Sequence, residues 1–304
     1  MGRTKPMDTQ GRMTLTWRSS RLIACPQNRG KISGYRSALW PIIFALSLVR
    51  TVTVGEARAQ QPAALEELAK LRANPLSGLR NVTLEDQVDF DFPSTSQSQN
   101  VITLQAVWPL PLGKDWSLIA YPILSVISQP GLDPGETRVS GLGDTVLTAV
   151  VTPNQTGTLI WGLGPVLELP TATDHELGSN LWAAGPALAV FVEPDPWTVG
   201  VLLENAWSFA GSGHEKINEF SAQYFLTYGL PHGWFLESNA TVTADWEADQ
   251  SDRWTVPLGG GFGKVFTLGT RFLSLSTQAF YNEPRPSTGP QWSVALALQL
   301  LFPG

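Results

Sequence analysis

The amino-acid sequence predicts an all-β protein, folded as a closed antiparallel transmembrane β-barrel of about twelve strands with a short N-terminal helix. Three observations support this fold class. Twelve segments of alternating hydrophobicity follow one another, and most reach the roughly nine to eleven residues that a tilted strand needs to cross a bilayer. Longer polar connections alternate with tighter turns along the chain. All ten tryptophans beyond residue 59 fall near the ends of these segments.

Residues 1–59 have the properties of a secretory leader and form the first predicted unit. Ten of the twenty Lys and Arg residues lie there, with only two acids. The apolar run Ala38 to Val49 is too short for a spanning helix, which needs about twenty residues. Small residues then precede Gln60 at the positions that a signal peptidase reads, so we expect cleavage after Ala59. The alternatives are an uncleaved N-terminal anchor and a lipid anchor on Cys25.

The chain that follows the leader is strongly acidic and lacks cysteine. It keeps 24 acids against 10 bases, a net charge of about −14. Binding to nucleic acid requires clustered Lys and Arg against phosphates, so a nucleic-acid partner is not expected. Because Cys25 is the single cysteine, the mature chain could form neither a disulfide nor a thiolate metal site.

A short amphipathic helix is predicted at the start of the second unit, residues 60–79. Leu65, Leu68 and Leu71 recur on one side of a helix, which should end near Asn74-Pro75. Two interpretations of this segment stay open, a plug in the barrel and a loose periplasmic tail.

From residue 80 to residue 304 the hydrophobic period is two, which indicates strands. The predicted strands are 82–92, 100–108, 116–127, 141–151, 159–169, 181–192, 197–209, 218–228, 234–245, 253–266, 270–280 and 291–302. Their even number returns both chain ends to one side of the membrane. In such barrels the tight turns face the periplasm and the long loops face outward.

The tryptophan positions indicate that the solvent around the barrel is lipid. Five flank tight turns and five flank long loops: Trp108, Trp116, Trp161, Trp197 and Trp234, and Trp182, Trp207, Trp246, Trp254 and Trp292, respectively. Two aromatic girdles at the membrane interfaces would place indole rings in this way. The alternative is a soluble β-sandwich with tryptophans packed at its two ends.

Polar and acidic residues on the opposite face predict a wet lumen, because charges in a dry core would be costly. The candidate lumen-lining residues are Glu85, Asp89, Asp91, Glu168, Glu204, Glu237 and Asn239, with Arg253 and Arg271 as possible basic partners. The three histidines fall in connections, and the loop with Asp174, His175 and Ser179 is interpreted as a polar surface loop. We therefore expect no catalytic residues, no metal site and no cofactor.

Several short motifs carry a resemblance to a known family. They are Gly141-Leu142-Gly143-Asp144, Trp161 to Pro165, Leu169-Pro170-Thr171-Ala172-Thr173-Asp174, Pro196 to Gly200, Asn205 to Gly211 and Trp254 to Gly261. In this order, the segment from about Asn74 to the C-terminus resembles the transporter family named after the meta-pathway of phenol degradation. The resemblance implies an outer-membrane barrel that takes up hydrophobic or aromatic compounds, and it supplies no catalytic residues. The last strand also resembles the C-terminal signal that the barrel assembly machinery reads, although Pro303 and Gly304 displace the terminal aromatic residue.

These observations lead to the hypothesis of a channel or transporter for small molecules in the outer membrane of a Gram-negative bacterium. Its expected partners are outer-membrane lipid, the assembly machinery and a small-molecule solute. The alternatives are an outer-membrane enzyme of the lipase kind and a structural or adhesive barrel that acts through its loops.

Overall fold

The computed structural model describes residues 62–93, 97–130, 137–154, 157–212 and 216–303. The predicted leader, its cleavage site and Cys25 lie outside these residues. Helix α1 covers Pro62–Leu71, which confirms the predicted N-terminal helix. No helix in the described ranges is long and apolar enough to cross a membrane.

The rest of the described chain is organised as fourteen β segments. They are β1 (Arg80–Phe90), β2 (Gln99–Leu112), β3 (Trp116–Gln129), β4 (Val139–Leu142), β5 (Thr145–Pro153), β6 (Leu159–Leu169), β7 (Leu181–Val192), β8 (Trp197–Gly211), β9 (Asn218–Gly229), β10 (Trp234–Asp245), β11 (Trp254–Thr255), β12 (Pro257–Leu268), β13 (Arg271–Asn282) and β14 (Trp292–Phe302).

These segments form a closed antiparallel barrel of twelve strands, as predicted. β4 and β5 both pair with β3, and β11 and β12 both pair with β10, so each couple occupies one strand position. Closure comes from β14, which pairs with β1 from Arg80 opposite Phe302 to Phe90 opposite Trp292. Both ends of the barrel chain therefore lie on one side, which we call the terminal end.

Successive residues of each strand face alternately the outer surface and the interior of the barrel. Leu236 on β10 is 50% exposed on the outer surface, whereas its neighbour Phe235 is 0% exposed inside. The outer face of the other strands is likewise leucine-rich, with exposed Leu84, Leu104, Leu163, Leu226, Leu275 and Leu296. An apolar outer surface and polar inner positions are the arrangement of a membrane-spanning barrel.

The tryptophans lie toward the two ends of this surface, and nine of the ten are exposed. Neighbouring rings contact each other edge to face, as Trp116 does with Trp161 and Trp246 with Trp254, with centroids 6.1 and 5.8 Å apart. Trp207, like Trp108, lies four residues inside the end of a strand, because β8 and β2 extend beyond their predicted ends.

Candidate functional site: the barrel lumen

The lumen is divided lengthwise into an apolar side and a polar side. Inward side chains of β3 and β5–β9 pack into a cluster that fills one side, including Ile119, Val150, Phe191, Leu202 and Phe225. The polar side is formed by inward residues of β1, β2, β10, β13 and β14, among them Gln87, Gln105, Thr241, Gln278 and Gln299. The open space of the barrel therefore runs off-centre, along amide, hydroxyl and carboxylate groups.

Two adjoining cavities follow this polar side. The one nearer the terminal end has a volume of about 80 Å³ and the other about 230 Å³. Their walls share five residues, Glu85, Gln105, Tyr121, Asn239 and Gln278. A group of polar side chains on one side of the lumen thus marks the level at which the two cavities meet.

Six of the predicted lumen residues are on the inner face. Glu85, Glu237 and Asn239 border the smaller cavity, and Glu85, Asp89 and Asn239 border the larger one. Glu204 accepts hydrogen bonds from Thr148 Oγ1 at 2.6 Å and Ser221 Oγ at 3.2 Å. Glu168 has the inward phase of β6, between its neighbours Leu167 and Leu169.

The other three predicted lumen residues lie elsewhere, so the prediction is wrong for them. Asp91 follows the end of β1 with a φ of 63° and is exposed. Arg253 lies in the connection before β11, where its guanidinium stacks 5.6 Å from the Trp246 ring. Arg271 opens β13 on the outward phase, opposite Leu268, and is exposed.

Among the described residues, Arg72 is a base that faces the lumen, and it lies one residue after α1. It forms an ion pair with Glu237, and the two side chains are 7% and 5% exposed. Its guanidinium also lies 3.8 Å from the centre of the Phe235 ring. Arg72 is not among the predicted lumen residues, because the sequence leaves open whether the N-terminal segment enters the barrel.

Helix α1 itself packs inside the terminal end of the barrel. Leu68 and Ala69 are buried against Phe235, Val265 and Leu301, three inward residues of that end. On the exposed side of the helix, Glu66 accepts a hydrogen bond from His232 N at 2.9 Å, and Lys70 Nζ lies 3.7 Å from Asp195.

Residues 73–79 continue across the barrel before β1 begins. Leu76 reaches the apolar cluster on the opposite wall, where it packs among Ile119, Val150 and Ile160. Asn74 is buried and donates a hydrogen bond to Glu193 Oε1 at 2.7 Å. The N-terminal segment therefore occupies the terminal mouth and is not a loose tail.

In the described strands, the barrel wall has one extended interruption, which lies beside the larger cavity. β10 pairs with β12 over residues 234–237 and with β11 over 243–244, so residues 238–242 have no strand pairing on that side. Side chains bridge the gap: Ser238 Oγ donates to Gly259 O at 2.7 Å and Tyr224 OH donates to Pro257 O at 3.1 Å. We call this interruption the seam, and Ala240 and Pro257 on its two sides also border the cavity.

The connection between β6 and β7 carries the one group of possible metal-binding side chains in the described residues. Ligand atoms of Asp174, His175 and Glu176 lie within 4.8 Å of one another. His175 Nδ1 pairs with Asp174 at 3.1 Å, and the two side chains are 74% and 40% exposed, respectively. Exposed acidic groups of this kind are common without an ion.

Comparison with known proteins agrees with this architecture. The COG4313 outer membrane channel from Pseudomonas putida F1 matches with a TM-score of 0.57 and 19% identity, over 83% of this chain and 100% of that chain. The CymD monoaromatic hydrocarbon channel matches with a TM-score of 0.41 and 9% identity, over 82% of this chain and 94% of that chain. No protein with a curated description matches the sequence. A family model described as putative MetA-pathway of phenol degradation matches residues 91–288, well over half of the chain, and the chain therefore belongs to that family.

Proposed function

We propose that the protein is a channel of the Gram-negative outer membrane through which small hydrophobic or aromatic molecules pass. The observation that carries the proposal is the pair of adjoining cavities along the polar side of the lumen. Family membership supports the same function, and so does the similar fold of a protein described as an outer membrane channel.

The seam supports the choice of a hydrophobic solute class. A polar solute must leave the lumen past the N-terminal segment, whereas an apolar solute gains free energy by entering lipid. At the seam the wall is thin, because the part of β12 beside Ser238 consists of three consecutive glycines, Gly259–Gly261. Side-chain hydrogen bonds hold this stretch together where backbone pairing is missing, so it is the part of the wall that opens at least cost.

An enzymatic role is less well supported by the arrangement of the described residues. A hydrolase of the lipase kind needs a serine hydroxyl, a histidine and a polar orienting group in contact. Ser179 Oγ instead bonds to Asp144, and the exposed His175 pairs with Asp174. We therefore propose passage of solute without chemistry.

The test is solute flux through the refolded protein in liposomes, together with ion conductance in planar bilayers. Wild-type protein should carry ions and should speed the uptake of a monoaromatic hydrocarbon. A barrel that is correctly folded but passes neither ions nor hydrocarbon would contradict the proposal.

The route through the seam can be tested with a reversible cross-link. A β-carbon on Gly260 would lie 3.3 Å from Ser238 Cβ and 2.7 Å from Glu237 O. Ser238→Cys with Gly260→Cys should therefore cross-link β10 to β12 after a small shift of the two strands apart. Oxidation should slow hydrocarbon uptake and leave ion conductance unchanged, and reduction should restore uptake. Ser238→Cys alone is the control. Equal hydrocarbon uptake in both redox states would exclude the seam as the route.

A further inference from the structure

A buried carboxylate interrupts one barrel strand and binds a loop. Gly143 and Asp144 separate β4 from β5, and Gly143 N remains bonded to Ser125 O on β3 at 2.9 Å. Asp144 is 5% exposed and accepts three hydrogen bonds from the connection between β6 and β7. The donors are Ala172 N at 3.1 Å, Ser179 N at 2.7 Å and Ser179 Oγ at 3.0 Å. One side chain thus ties both ends of residues 172–179, which we call the mouth loop.

The mouth loop lies against the inner side of the wall. Leu142 N donates to Thr173 Oγ1 at 3.0 Å, and Thr173 N donates to Leu142 O at 3.1 Å. A side chain at Gly141, which has the inward phase of β4, would collide with Thr173 and Leu177. Gly178 is equally confined, because a β-carbon there would lie 2.6 Å from Asp144 Oδ1. The two glycines therefore allow the loop to fold inward instead of projecting into solvent.

The tip of the mouth loop forms part of the lumen. Glu176 and Leu177 border the larger cavity, and Leu177 is only 2% exposed. On the neighbouring wall, Gln129 Nε2 donates to Glu176 O at 2.8 Å. The loop therefore narrows the end of the lumen that is opposite to the terminal end.

We propose that Asp144 is a positioning residue that holds the mouth loop inside the barrel, and that the loop sets the size limit for solutes entering from that end. The proposal rests on the channel function proposed above. Two of the motifs that carry the family resemblance, Gly141 to Asp144 and Leu169 to Asp174, meet in this contact. A carboxylate suits the role because its oxygens can accept several hydrogen bonds from backbone N–H groups at once.

Replacing Asp144 by Ala leaves the N–H groups of Ala172 and Ser179 without their acceptor, so the loop should leave the lumen. The exclusion limit for sugars of increasing size in liposome swelling should then shift to larger sugars, and single-channel conductance should rise. Asp249→Asn is the matched control, because it removes one negative charge from an exposed residue of another connection. Gel mobility before and after heating identifies the folded barrel. If the alanine variant does not fold, Asp144→Asn is tested in its place.

A disulfide provides the rescue. The closest atom to a β-carbon on Gly141 is Thr173 Oγ1, which Thr173→Cys removes, and Leu177 Cδ1 at 3.0 Å is the end of a flexible side chain. The two β-carbons would then lie 3.5 Å apart, within the range of disulfides, so Gly141→Cys with Thr173→Cys should fasten the loop to β4. In the Asp144→Ala background, oxidation should return the exclusion limit to the wild-type value and reduction should release it again. An unchanged exclusion limit in folded Asp144→Ala protein would overturn the inference.

Thiol labelling separates this inference from the channel function. Leu177→Cys should react slowly with a membrane-impermeant maleimide in the otherwise wild-type protein. Loss of the hydrogen bonds to Asp144 should raise its labelling rate by at least about tenfold, since each such bond to a charged group contributes to keeping the loop closed. If wild-type protein passes no solute while labelling still responds to Asp144→Ala, the channel function fails and the positioning role of Asp144 stands. If labelling does not respond, the positioning role fails whatever the flux.

Discussion

The ion pair between Arg72 and Glu237 should hold the N-terminal segment in the barrel, and Glu237→Gln tests this directly. The substitution keeps the size of the side chain and removes its charge. Arg72 then remains as a buried cation above the Phe235 ring without its carboxylate partner. The expected result is a weaker hold on α1 and the residues after it, within an intact barrel.

The magnitude follows from the burial of the pair. Removing one partner of a buried ion pair costs about 3 to 5 kcal/mol. Because Arg72 and Glu237 also border the smaller cavity, water can reach them, and we take the lower value. A loss of about 3 kcal/mol shifts the docking equilibrium by about 100-fold. Burial of Leu68 against Phe235 contributes about 1.5 to 3 kcal/mol of its own, so the segment should leave the lumen more often without being lost from it.

Two measurements follow the docked segment. The first is the fraction of time that single channels spend in a state of higher conductance, which should rise in Glu237→Gln. The second is maleimide labelling of Ala69→Cys, a position that is 1% exposed while α1 is docked. Glu204→Gln is the control, because it makes the same charge change at an inward residue that bonds to Thr148 and Ser221.

Equal channel records and labelling rates in Glu237→Gln and Glu204→Gln would refute the reasoning. A second arm replaces the pair by Arg72→Met with Glu237→Leu. Replacing both members of a buried ion pair by apolar groups of similar size is often neutral, so this double variant should dock more tightly than Glu237→Gln. Looser docking in the double variant would mean that the pair does more than neutralise its own charges.

Three further predictions concern the wall and the lumen. Leu236→Arg should lower the free energy of unfolding in lipid by about 2 to 4 kcal/mol, because residue 236 faces the bilayer, and Asn239→Arg on the lumen side should lower it much less. Equal losses for the two variants in urea titrations would contradict the assigned faces. Replacing Glu85 and Asp89 by Gln should lower the preference of the channel for cations, because the negative charges of these residues concentrate cations in the lumen. The measurement is the reversal potential in a salt gradient, which should become smaller. An unchanged reversal potential would mean that ions do not pass these residues. Deletion of residues 61–79 should raise conductance, and a deletion variant that folds with wild-type conductance would exclude the plug.

The strands could be predicted from the sequence because lipid and water impose a strict alternation on the wall. β6, β7 and β10 begin and end at the predicted residues, each between polar or proline-rich connections. β2 extends four residues beyond its predicted end, through Pro109 and Pro111. Its pairing with β1 ends at Val107, so beyond that point β2 bonds only to β3 and has one free edge. Proline is compatible with a strand that has a free edge, since the missing N–H can point away from the ladder.

The contacts that shape the lumen were harder to predict, because they join residues that are distant in sequence. Arg72 and Glu237 are 165 positions apart, and alternation assigns Glu237 to the inner face without naming its partner. A signal for the plug was nevertheless present in the strands. Phe235 has the same inward phase as Glu237, and Val265 and Leu301 also face inward at the terminal end. Apolar side chains at the mouth of a water-filled lumen are exposed to water unless another apolar surface packs against them. The leucine face of α1, in the chain that precedes the strands, is such a surface. The phase of these inward residues, considered together with the leucine spacing of the helix, therefore favours a plug over a tail from the sequence alone.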